Sequence, residues 1–518
     1  MNRKVLALGV LALCLGALLL LRACGTLPPL ENRSTSTAIV DTGDTRLGLA
    51  VAPMVEANPE TSGIYALQEA RDAFAARWLL AAAADRSLDA QYYIWRKDTT
   101  GTLLFEALRV AADRGVRVRL LLDDNNTSGL DSTLAALDSH ANIEVRLFNP
   151  FVIRNPRAIN FLIDFFRVNR RMHNKSFTAD NQATIIGGRN VGDEYFGATD
   201  GVLFADLDVL AIGPVVEDVS EDFDRYWASE SSYPVDRLLP AADPERLAEL
   251  SAAASQIERD SAAAEYMNAV RNSEFVRELI EGTVELTWAP TRMVSDDPAK
   301  GLGRAPPETQ LPSKLREIIG EPQAELDLVS PYFVPTAAGV DWFVDMAERG
   351  VQIRVLVNAL EATDVDAVHS GYAKRREPLL EAGISLYEVR LSSPGSEGKS
   401  PRAGPMGSSG TSLHAKTFSV DRSRVFIGSF NFDPRSINLN TEMGFVIYSP
   451  ALAEGIDAVL DRRIPQSTYA VKLSESGELY WTEQRDGKLV RYDEEPGTTF
   501  WQRAAVQFMS VLPIEWLL

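Results

Sequence analysis

Cysteine is almost absent from this 518-residue chain, and basic residues are in deficit. The only two cysteines, Cys14 and Cys24, lie near the N-terminus, which excludes a disulfide framework or a thiolate metal site elsewhere. Lys and Arg total 52 against 72 Asp and Glu, so the formal charge is −20. A broad basic surface for nucleic-acid phosphates is therefore not expected, and nucleic acid is disfavoured as a partner.

The remaining composition is typical of a folded protein with more than one domain. Hydrophobic residues make up 45% of the chain and charged residues 24%. The length exceeds what one hydrophobic core usually organises. We therefore expect two or three domains, each with its own apolar interior.

The N-terminus has the pattern of a targeting segment. A basic stretch at residues 2–4 precedes the unbroken apolar run Val5–Leu21, which predicts export from the cytoplasm. The sequence LRACG resembles a bacterial lipoprotein cleavage box with Cys24 as the lipid-bearing residue, although Arg22 stands where a small residue is usual. Residues 1–24 are thus expected to form a signal peptide or a membrane anchor, and both interpretations stay open.

Alternating strand and helix patterns recur in two parts of the chain. In the first part we predict a helix over Gly63–Asp85, a strand over Leu88–Trp95, a helix over Leu103–Arg114, and strands over Val116–Leu122 and Ile143–Leu147. In the second part we predict a strand over Leu326–Phe333, a helix over Gly339–Arg349 and a strand over Val351–Val357. This order predicts a duplicated α/β unit with a mostly parallel or mixed sheet.

The duplication gives the expected domain boundaries. We assign a first lobe to residues 60–235, a helical connector to 236–300, a second lobe to 301–466 and a C-terminal extension to 467–518. The Gly-, Ser- and Pro-rich stretch Ser392–Ser412 is predicted to be a mobile loop directly before the second motif described below.

The strongest chemical signal is a set of five residues that occurs twice. The first set is His173, Lys175, Asp180, Gly187 and Asn190, and the second is His414, Lys416, Asp421, Gly428 and Asn431. Each member of the second set follows its counterpart by 241 positions. One His-x-Lys pattern alone would be an ordinary strand edge. Two copies in register, using two of only four histidines, indicate a function.

These residue types suit cleavage of a phosphodiester. On a strand, a histidine and a lysine two positions apart face the same side. The lysines can hold phosphate oxygens, and the amides of Asn190 and Asn431 add donors. One neutral imidazole attacks while the other donates a proton to the leaving alkoxide. We expect no metal and no cofactor, because no cysteine or carboxylate cluster accompanies the motifs.

The doubled arrangement resembles the signature of the phospholipase D superfamily, and within it the bacterial cardiolipin synthases of the C type. The similarity runs from about Ser62 to Leu518 and is carried by QYYIW from Gln91, LLLDDNNT ending at Thr127, RMHNKSF from Arg171, GGRN from Gly187, DPAKG from Asp297, LHAKTF from Leu413, FNFDPRS from Phe430 and the terminal LPIEWLL. It implies an α/β fold of two duplicated α-β-α lobes with the active site at their pseudo-twofold interface.

The resemblance also implies roles for individual residues. His173 would be the nucleophile that carries a phosphatidyl group, and His414 would act as acid and then as base, with the order of the two left open. Asp206 and Glu442 stand where the family places the acids that orient the imidazoles.

Other motif positions are expected to act less directly. Asp180 and Asp421 complete the two catalytic motifs, and we expect them to brace the motif loops. Gly188 in the first copy corresponds to Ser429 in the second, so the phosphate contacts of the two lobes need not be equal.

Two aromatic segments are candidates for contact with lipid. Residues 151–171 combine Phe and Leu with five arginines, which predicts either an interfacial segment with arginines on anionic headgroups or an ordinary helix packed on the lobe. The tail Phe500–Leu518 is unusually apolar for a chain end, which favours an interface.

The favoured function is transfer of a phosphatidyl group from phosphatidylethanolamine or phosphatidylglycerol to phosphatidylglycerol, giving cardiolipin. A phospholipase D-type hydrolase is the alternative, with a nuclease less favoured because of the acidic charge. A non-catalytic lipid-binding lipoprotein conflicts with the two intact motifs. The expected location is the bacterial cell membrane, with the lobes on the periplasmic side. The sequence specifies no accessory protein.

Overall fold

The computed structural model describes residues 26–199, 203–243, 245–281, 283–391 and 411–518. The predicted targeting segment with Cys24 and most of the predicted loop, residues 392–410, lie outside this description. Within the described ranges, no helix has the length and apolar character needed to cross a bilayer.

The first lobe is built on a nine-stranded mixed sheet. Its strands, together with the short β7, are β1 (Ser62–Leu67), β2 (Ser87–Ile94), β3 (Arg117–Asn126), β4 (Ile143–Phe148), β5 (Ser176–Ala179), β6 (Ala183–Gly187), β7 (Leu203–Ala205), β8 (Asp208–Ile212), β9 (Ser232–Pro234) and β10 (Thr287–Ala289). The order across the sheet is β10-β1-β8-β6-β5-β2-β3-β4-β9. Strands β2, β3 and β4 are parallel, and β5 and β6 form an antiparallel hairpin beside β2.

The second lobe repeats this arrangement in a ten-stranded sheet. Its strands, together with the short β15, are β11 (Thr291–Ser295), β12 (Glu325–Val329), β13 (Gln352–Asn358), β14 (Ser385–Val389), β15 (Thr411–Leu413), β16 (Thr417–Val420), β17 (Arg424–Gly428), β18 (Met443–Ile447), β19 (Thr468–Leu473), β20 (Leu479–Arg485) and β21 (Lys488–Tyr492). The order β18-β17-β16-β12-β13-β14 matches β8-β6-β5-β2-β3-β4, with the same parallel and antiparallel pairs. The predicted duplication is confirmed.

Helices cover the sheets and form the connector. Before residue 244 they are Arg46–Ala57, Ala70–Ala83, Thr99–Asp113, Asp131–Asp138, Asn160–Ile163, Phe165–Val168, Asp193–Phe196 and Val215–Trp227. The remaining described α-helices are Glu245–Arg259, Ser261–Arg271, Glu274–Glu281, Leu311–Ile319, Thr336–Glu348, Asp366–Ala373, Arg376–Glu381, Pro434–Asn438, Pro450–Ser467 and Phe500–Ser510. The connector helices pack on the first lobe, where Tyr266 meets Phe74 with ring centroids 5.7 Å apart.

Two predicted elements differ from the structure for physical reasons. The helix predicted over Gly63–Asp85 is wrong at its beginning, because Ser62–Leu67 is a strand that pairs with β8 and β10. Such long-range pairing overrides a local helical pattern. The strand predicted to reach Phe333 ends at Val329, shortly before Pro331, which has no N–H to contribute to a ladder.

The lobes meet through a shared apolar core. Ile186 and Val209 of the first sheet lie in one buried cluster with Ile427 and Phe445 of the second. Strands β7 and β15 also pair in parallel across the interface. The carboxyl ends of β2 and β12 therefore face the boundary between the lobes. The two His-x-Lys motifs lie at the same boundary.

Candidate active site

The two His-x-Lys motifs lie at the boundary between the lobes. His173 and Lys175 directly precede β5, and His414 and Lys416 directly precede β16, so both pairs stand on extended segments before the strands rather than within them. The prediction that the two motifs lie on strands is therefore wrong, although each motif ends directly before a strand.

Each histidine is tied to the opposite lobe through its backbone. The N–H of His173 donates to the carbonyl oxygen of Thr441 at 2.9 Å, and the N–H of His414 donates to that of Ala205 at 2.8 Å. Both acceptors immediately precede the carboxylate that contacts the same histidine. The two halves of the site are therefore assembled reciprocally.

The carboxylates cross the lobe interface in the same way. Nδ1 of His173 lies 2.8 Å from Oε2 of Glu442, and Nδ1 of His414 lies 2.5 Å from Oδ2 of Asp206. The structure thus brings Asp206 and Glu442 to the positions expected from the sequence. Because Nδ1 of each ring is occupied, Nε2 is the nitrogen left for chemistry on both histidines.

Both lysines are buried beside the histidines. Nζ of Lys416 lies 3.0 Å from Nδ1 of His414, and Nζ of Lys175 lies 5.5 Å from the ring centre of Tyr93. Each lysine also donates to the carbonyl oxygen of its own motif histidine. Burial lowers the pKa of Lys175 to about 7 and also lowers the pKa of Lys416. Two desolvated ammonium groups in one site suit an anionic substrate.

The histidines differ in how strongly their surroundings disfavour a proton. Burial lowers the pKa of His173 well below its usual range, and the nearby Lys175 and Lys416 lower it further. Burial also lowers the pKa of His414, but the ion pair with Asp206 raises it in opposition. His173 is therefore the more firmly neutral imidazole of the two.

The carboxylate partners differ in the opposite sense. Burial raises the pKa of Glu442 to about 7, against the attraction of Lys175. Burial alone would raise the pKa of Asp206, yet His414 and Lys416 outweigh burial and hold that pKa below its usual range. Asp206 is therefore more firmly ionised than Glu442.

The Gly188 and Ser429 difference is explained by these carboxylates. The hydroxyl of Ser429 donates to Oε2 of Glu442 at 2.5 Å and accepts the N–H of Met443 at 3.0 Å. A Cβ atom added to Gly188 would lie 2.1 Å from Oδ1 of Asp206. The first lobe therefore needs glycine for room, whereas the second uses serine to hold its longer carboxylate.

A further support for Glu442 comes from the DPAKG segment. Lys300 in that segment lies 2.9 Å from Oδ2 of Asp296, and the same oxygen accepts the N–H of Glu442 at 2.9 Å. All three side chains are buried. The sequence singled out DPAKG only through the resemblance. The contact of Lys300 with Asp296 now gives this segment a role in positioning Glu442.

The motif asparagines are buried in both lobes. Oδ1 of Asn190 accepts the N–H of Ile94 at 3.1 Å, which fixes the amide, and Tyr195 lies beside it. Asn431 is also buried and follows Ser429 by two residues. Both stand after the strand that pairs with the motif strand, and their role as donors to a bound phosphate stays a prediction.

Asp180 and Asp421 stand at the other end of the motif strands. Asp180 accepts the backbone N–H groups of three successive residues from Asp85 to Ser87, and Asp421 those of Gln323 to Glu325. A four-residue strand separates each from its lysine, roughly 15 Å along the chain. These positions favour the bracing role over contact with substrate.

A family model described as "Cardiolipin synthase, PLD-like domain" matches residues 79–227 and 315–464, one copy in each lobe. The chain belongs to this family. Both copies contain a complete His-x-Lys motif and one of the crossed carboxylates.

Similar proteins agree with this assignment. The chain is 50% identical over 477 residues to "Cardiolipin synthase C" of Escherichia coli, covering 91% of this chain and 100% of that protein. It is 31% identical to an uncharacterized protein of Helicobacter pylori, covering 93% and 94% of the two chains. A crystal structure of phosphatidylserine synthase from Haemophilus influenzae shares the fold, with a TM-score of 0.53 at 14% identity over 83% of this chain and 92% of that one.

Aromatic residues that the motif pattern did not reveal enclose the histidines. The Tyr93 ring meets His173 edge-on with centroids 4.9 Å apart, while Tyr195 and Phe204 lie 5.3 and 5.0 Å from His414. Tyr93 belongs to QYYIW, which the resemblance had highlighted without a role. These rings cover part of each imidazole, which limits the access of water and favours stronger electrostatic interactions there.

Among the described residues, one acidic group has the spacing of a metal site. Glu325, Asp327 and Asp457 lie close together, but Arg354 contacts Glu325 and Asp327, and Arg422 contacts Glu325 and Asp457. The cluster is thus an ion-pair network at the start of β12.

Proposed function

We propose that this protein is a cardiolipin synthase that transfers a phosphatidyl group to the hydroxyl of phosphatidylglycerol. The donor is phosphatidylethanolamine or a second phosphatidylglycerol. The observation that carries the proposal is the reciprocal pairing of His173 with Glu442 and of His414 with Asp206, beside two buried lysines. The relative named cardiolipin synthase C supports the choice of product.

In the first step, Nε2 of His173 attacks phosphorus and forms a P–N bond. The P–O bond to the leaving alcohol breaks, and His414 donates its Nε2 proton to that oxygen. Lys175, Lys416, Asn190 and Asn431 hold the phosphate oxygens as charge develops on them.

In the second step, His414 accepts the proton of the phosphatidylglycerol hydroxyl. The hydroxyl oxygen attacks phosphorus, the P–N bond breaks and His173 leaves as a neutral imidazole. Cardiolipin is released with both histidines in their starting protonation states.

The surroundings support this division of labour. A nucleophile must be unprotonated, and the pKa of His173 lies well below its usual range because of burial and the two lysines. An acid must hold its proton, and the charged Asp206 opposes the lowering of the His414 pKa by burial, so His414 holds a proton more readily than His173. The motif pattern alone left this order open.

Transfer requires that an alcohol displace water as acceptor, and the rings of Tyr93, Tyr195 and Phe204 limit water at the histidines. The test is mass spectrometry of products from purified protein with phosphatidylglycerol and phosphatidylethanolamine in vesicles. We expect cardiolipin and released ethanolamine. Phosphatidic acid as the main product with every donor and acceptor would establish the hydrolase instead.

The proposed location is the periplasmic face of the bacterial cell membrane, with residues 1–24 as lipoprotein signal or retained anchor. Protease added to spheroplasts should digest the lobes, whereas full protection would place them inside. Labelling with a radioactive fatty acid distinguishes the two anchors, because only a lipoprotein loses the label in a Cys24→Ser variant.

A further inference from the structure

Exposed aromatic side chains are confined to two segments of the described chain. Phe166 lies in residues 160–168, and the other exposed Phe and Trp residues, which are Phe500, Trp501, Phe508 and Trp516, lie in the C-terminal segment. Phe166 and Trp501 each expose 78% of their surface. Exposed aromatic residues concentrated in this way mark a surface that contacts an apolar partner.

The two segments adjoin each other. The rings of Phe165 and Trp516 lie with centroids 6.3 Å apart. Arg435 donates to the carbonyl oxygen of Leu517 and, at 2.8 Å, to that of Asn169. We call the exposed side chains of the two segments the aromatic surface; its members are Leu162, Phe166, Phe500, Trp501, Phe508, Val511 and Trp516.

The helix Phe500–Ser510 presents its aromatic side outward. At 100° per residue, Phe500, Trp501 and Phe508 fall within an arc of roughly 100°, while the buried Val506 lies on the opposite side. A capping box between Thr499 and Gln502 defines the start of the helix. The aromatic exposure therefore belongs to a formed helix and not to a frayed end.

Asn169 and Arg435 connect the aromatic surface to the active site. Asn169, which Arg435 contacts, precedes His173 by four residues. Arg435 itself lies in the helix Pro434–Asn438, shortly after the motif residue Asn431. A membrane touching this surface would thus bring lipid headgroups close to both motifs.

We propose that the aromatic surface inserts into the interface of a phospholipid bilayer and holds the active site against its lipid substrates. The inference rests on the proposed function, since a lipid substrate with two acyl chains must be reached within a membrane. Trp and Phe side chains are suited to this depth, because their rings prefer the interfacial region.

The arginines of residues 151–171 have partners within the protein. Arg154 pairs with Asp124 and Asp131, Arg167 pairs with Asp164, and Arg171 pairs with Asp123. Arg157 and Arg170 likewise bind within the protein. Because these arginines already have partners within the protein, we expect attachment through the aromatic surface to depend on apolar insertion and little on salt.

The first test reads contact with lipid directly and does not depend on activity. The full chain is placed in vesicles of phosphatidylglycerol and phosphatidylethanolamine with brominated acyl chains, which quench nearby tryptophans. The protein has eight tryptophans, none of them in residues 1–24, and only Trp501 and Trp516 are exposed. We expect quenching that a Trp501→Phe, Trp516→Phe double variant largely loses, that a Trp288→Phe control keeps, and that a tenfold rise in salt leaves unchanged.

The second test measures how the aromatic surface affects turnover on membranes. A Phe166→Ser, Trp501→Ser, Phe508→Ser variant should lose about tenfold or more of its turnover on vesicles and keep its turnover on short-chain lipids below their micelle concentration. The matched control changes Leu49, Val110 and Leu489, exposed apolar residues elsewhere, to serine. The proposal is overturned if both variants have equal turnover on vesicles, or if the tryptophans are not quenched. If the tryptophans are not quenched and the aromatic variant loses activity only in cells, the surface binds a protein partner instead of a membrane.

Discussion

The two motif histidines occupy equivalent positions in the fold but different electrostatic surroundings. His173 faces Glu442, whose pKa burial raises to about 7, and the pKa of His173 itself lies well below its usual range. His414 faces Asp206, which stays charged because its pKa is held low by His414 and Lys416 in spite of burial. A duplicated scaffold has thus produced an unequal pair, which suits one nucleophile and one acid.

Removing either imidazole should have the largest effect. His173→Ala and His414→Ala should each reduce kcat about 10⁴-fold or more, because each ring has a separate task. The comparison is sharpened with a phosphatidyl donor that has a p-nitrophenol leaving group, which needs no acid. His414→Ala should then release a burst of p-nitrophenolate and retain a phosphatidyl label, whereas His173→Ala should do neither. The reverse pattern would exchange the two roles.

Exchanging the residues behind the carboxylates should have the next largest effect. Gly188→Ser places a Cβ 2.1 Å from Oδ1 of Asp206, so we expect about a hundredfold loss of kcat. Ser429→Gly removes one buried hydrogen bond to Glu442, for which about a tenfold loss is expected. Gly455→Ala, at a glycine with open space around it, is the control. Equal losses of kcat in Gly188→Ser and Ser429→Gly would contradict the different roles assigned to these two positions.

The pH profile should report the buried lysine of the first motif. Because burial lowers the pKa of Lys175 to about 7, the free enzyme loses this positive charge as pH rises through that value, and kcat/KM should fall. A bound phosphate raises the pKa, so the fall in kcat should occur at higher pH. In a Lys175→Arg variant the side chain keeps its charge. The fall of kcat/KM at high pH should therefore move to still higher pH in the activity that remains. A fall that does not move would be assigned to another group.

The smallest effect is expected from the bracing carboxylates, and it concerns stability. Asp180→Ala leaves three backbone N–H groups without their acceptor and should reduce the free energy of unfolding by about 2 kcal/mol. Asp421 is less buried, so Asp421→Ala should cost about 1 kcal/mol. Thermal unfolding measures both changes. A large fall in kcat with an unchanged melting temperature would instead place the carboxylate in catalysis.

The sequence predicted the parts of the site that repeat. Identical spacing in two copies singled out the histidines, lysines and asparagines as candidates, and the resemblance singled out Asp206 and Glu442. That each carboxylate serves the histidine of the other lobe could not be derived, because it depends on how β7 meets β15 and how Met172 meets Thr441.

Features that depend on long-range contacts were the ones missed. The rings of Tyr93, Tyr195 and Phe204 have no shared spacing, so only folding brings them to the histidines. Composition left open whether the arginines before the first motif face lipid headgroups or the lobe, because their acidic partners lie 20 to 50 positions away or on an adjacent turn. Local pattern identifies a charged side chain but not its partner.

The crossed bonds of the two histidines also bear on how the protein is made. The first lobe leaves the ribosome before the second, and domains generally fold in that order. Until the second lobe docks, His173 has neither Glu442 nor an acid partner. A first lobe without its partner is therefore expected to be inactive toward phospholipids, and either lobe produced alone should show no measurable turnover.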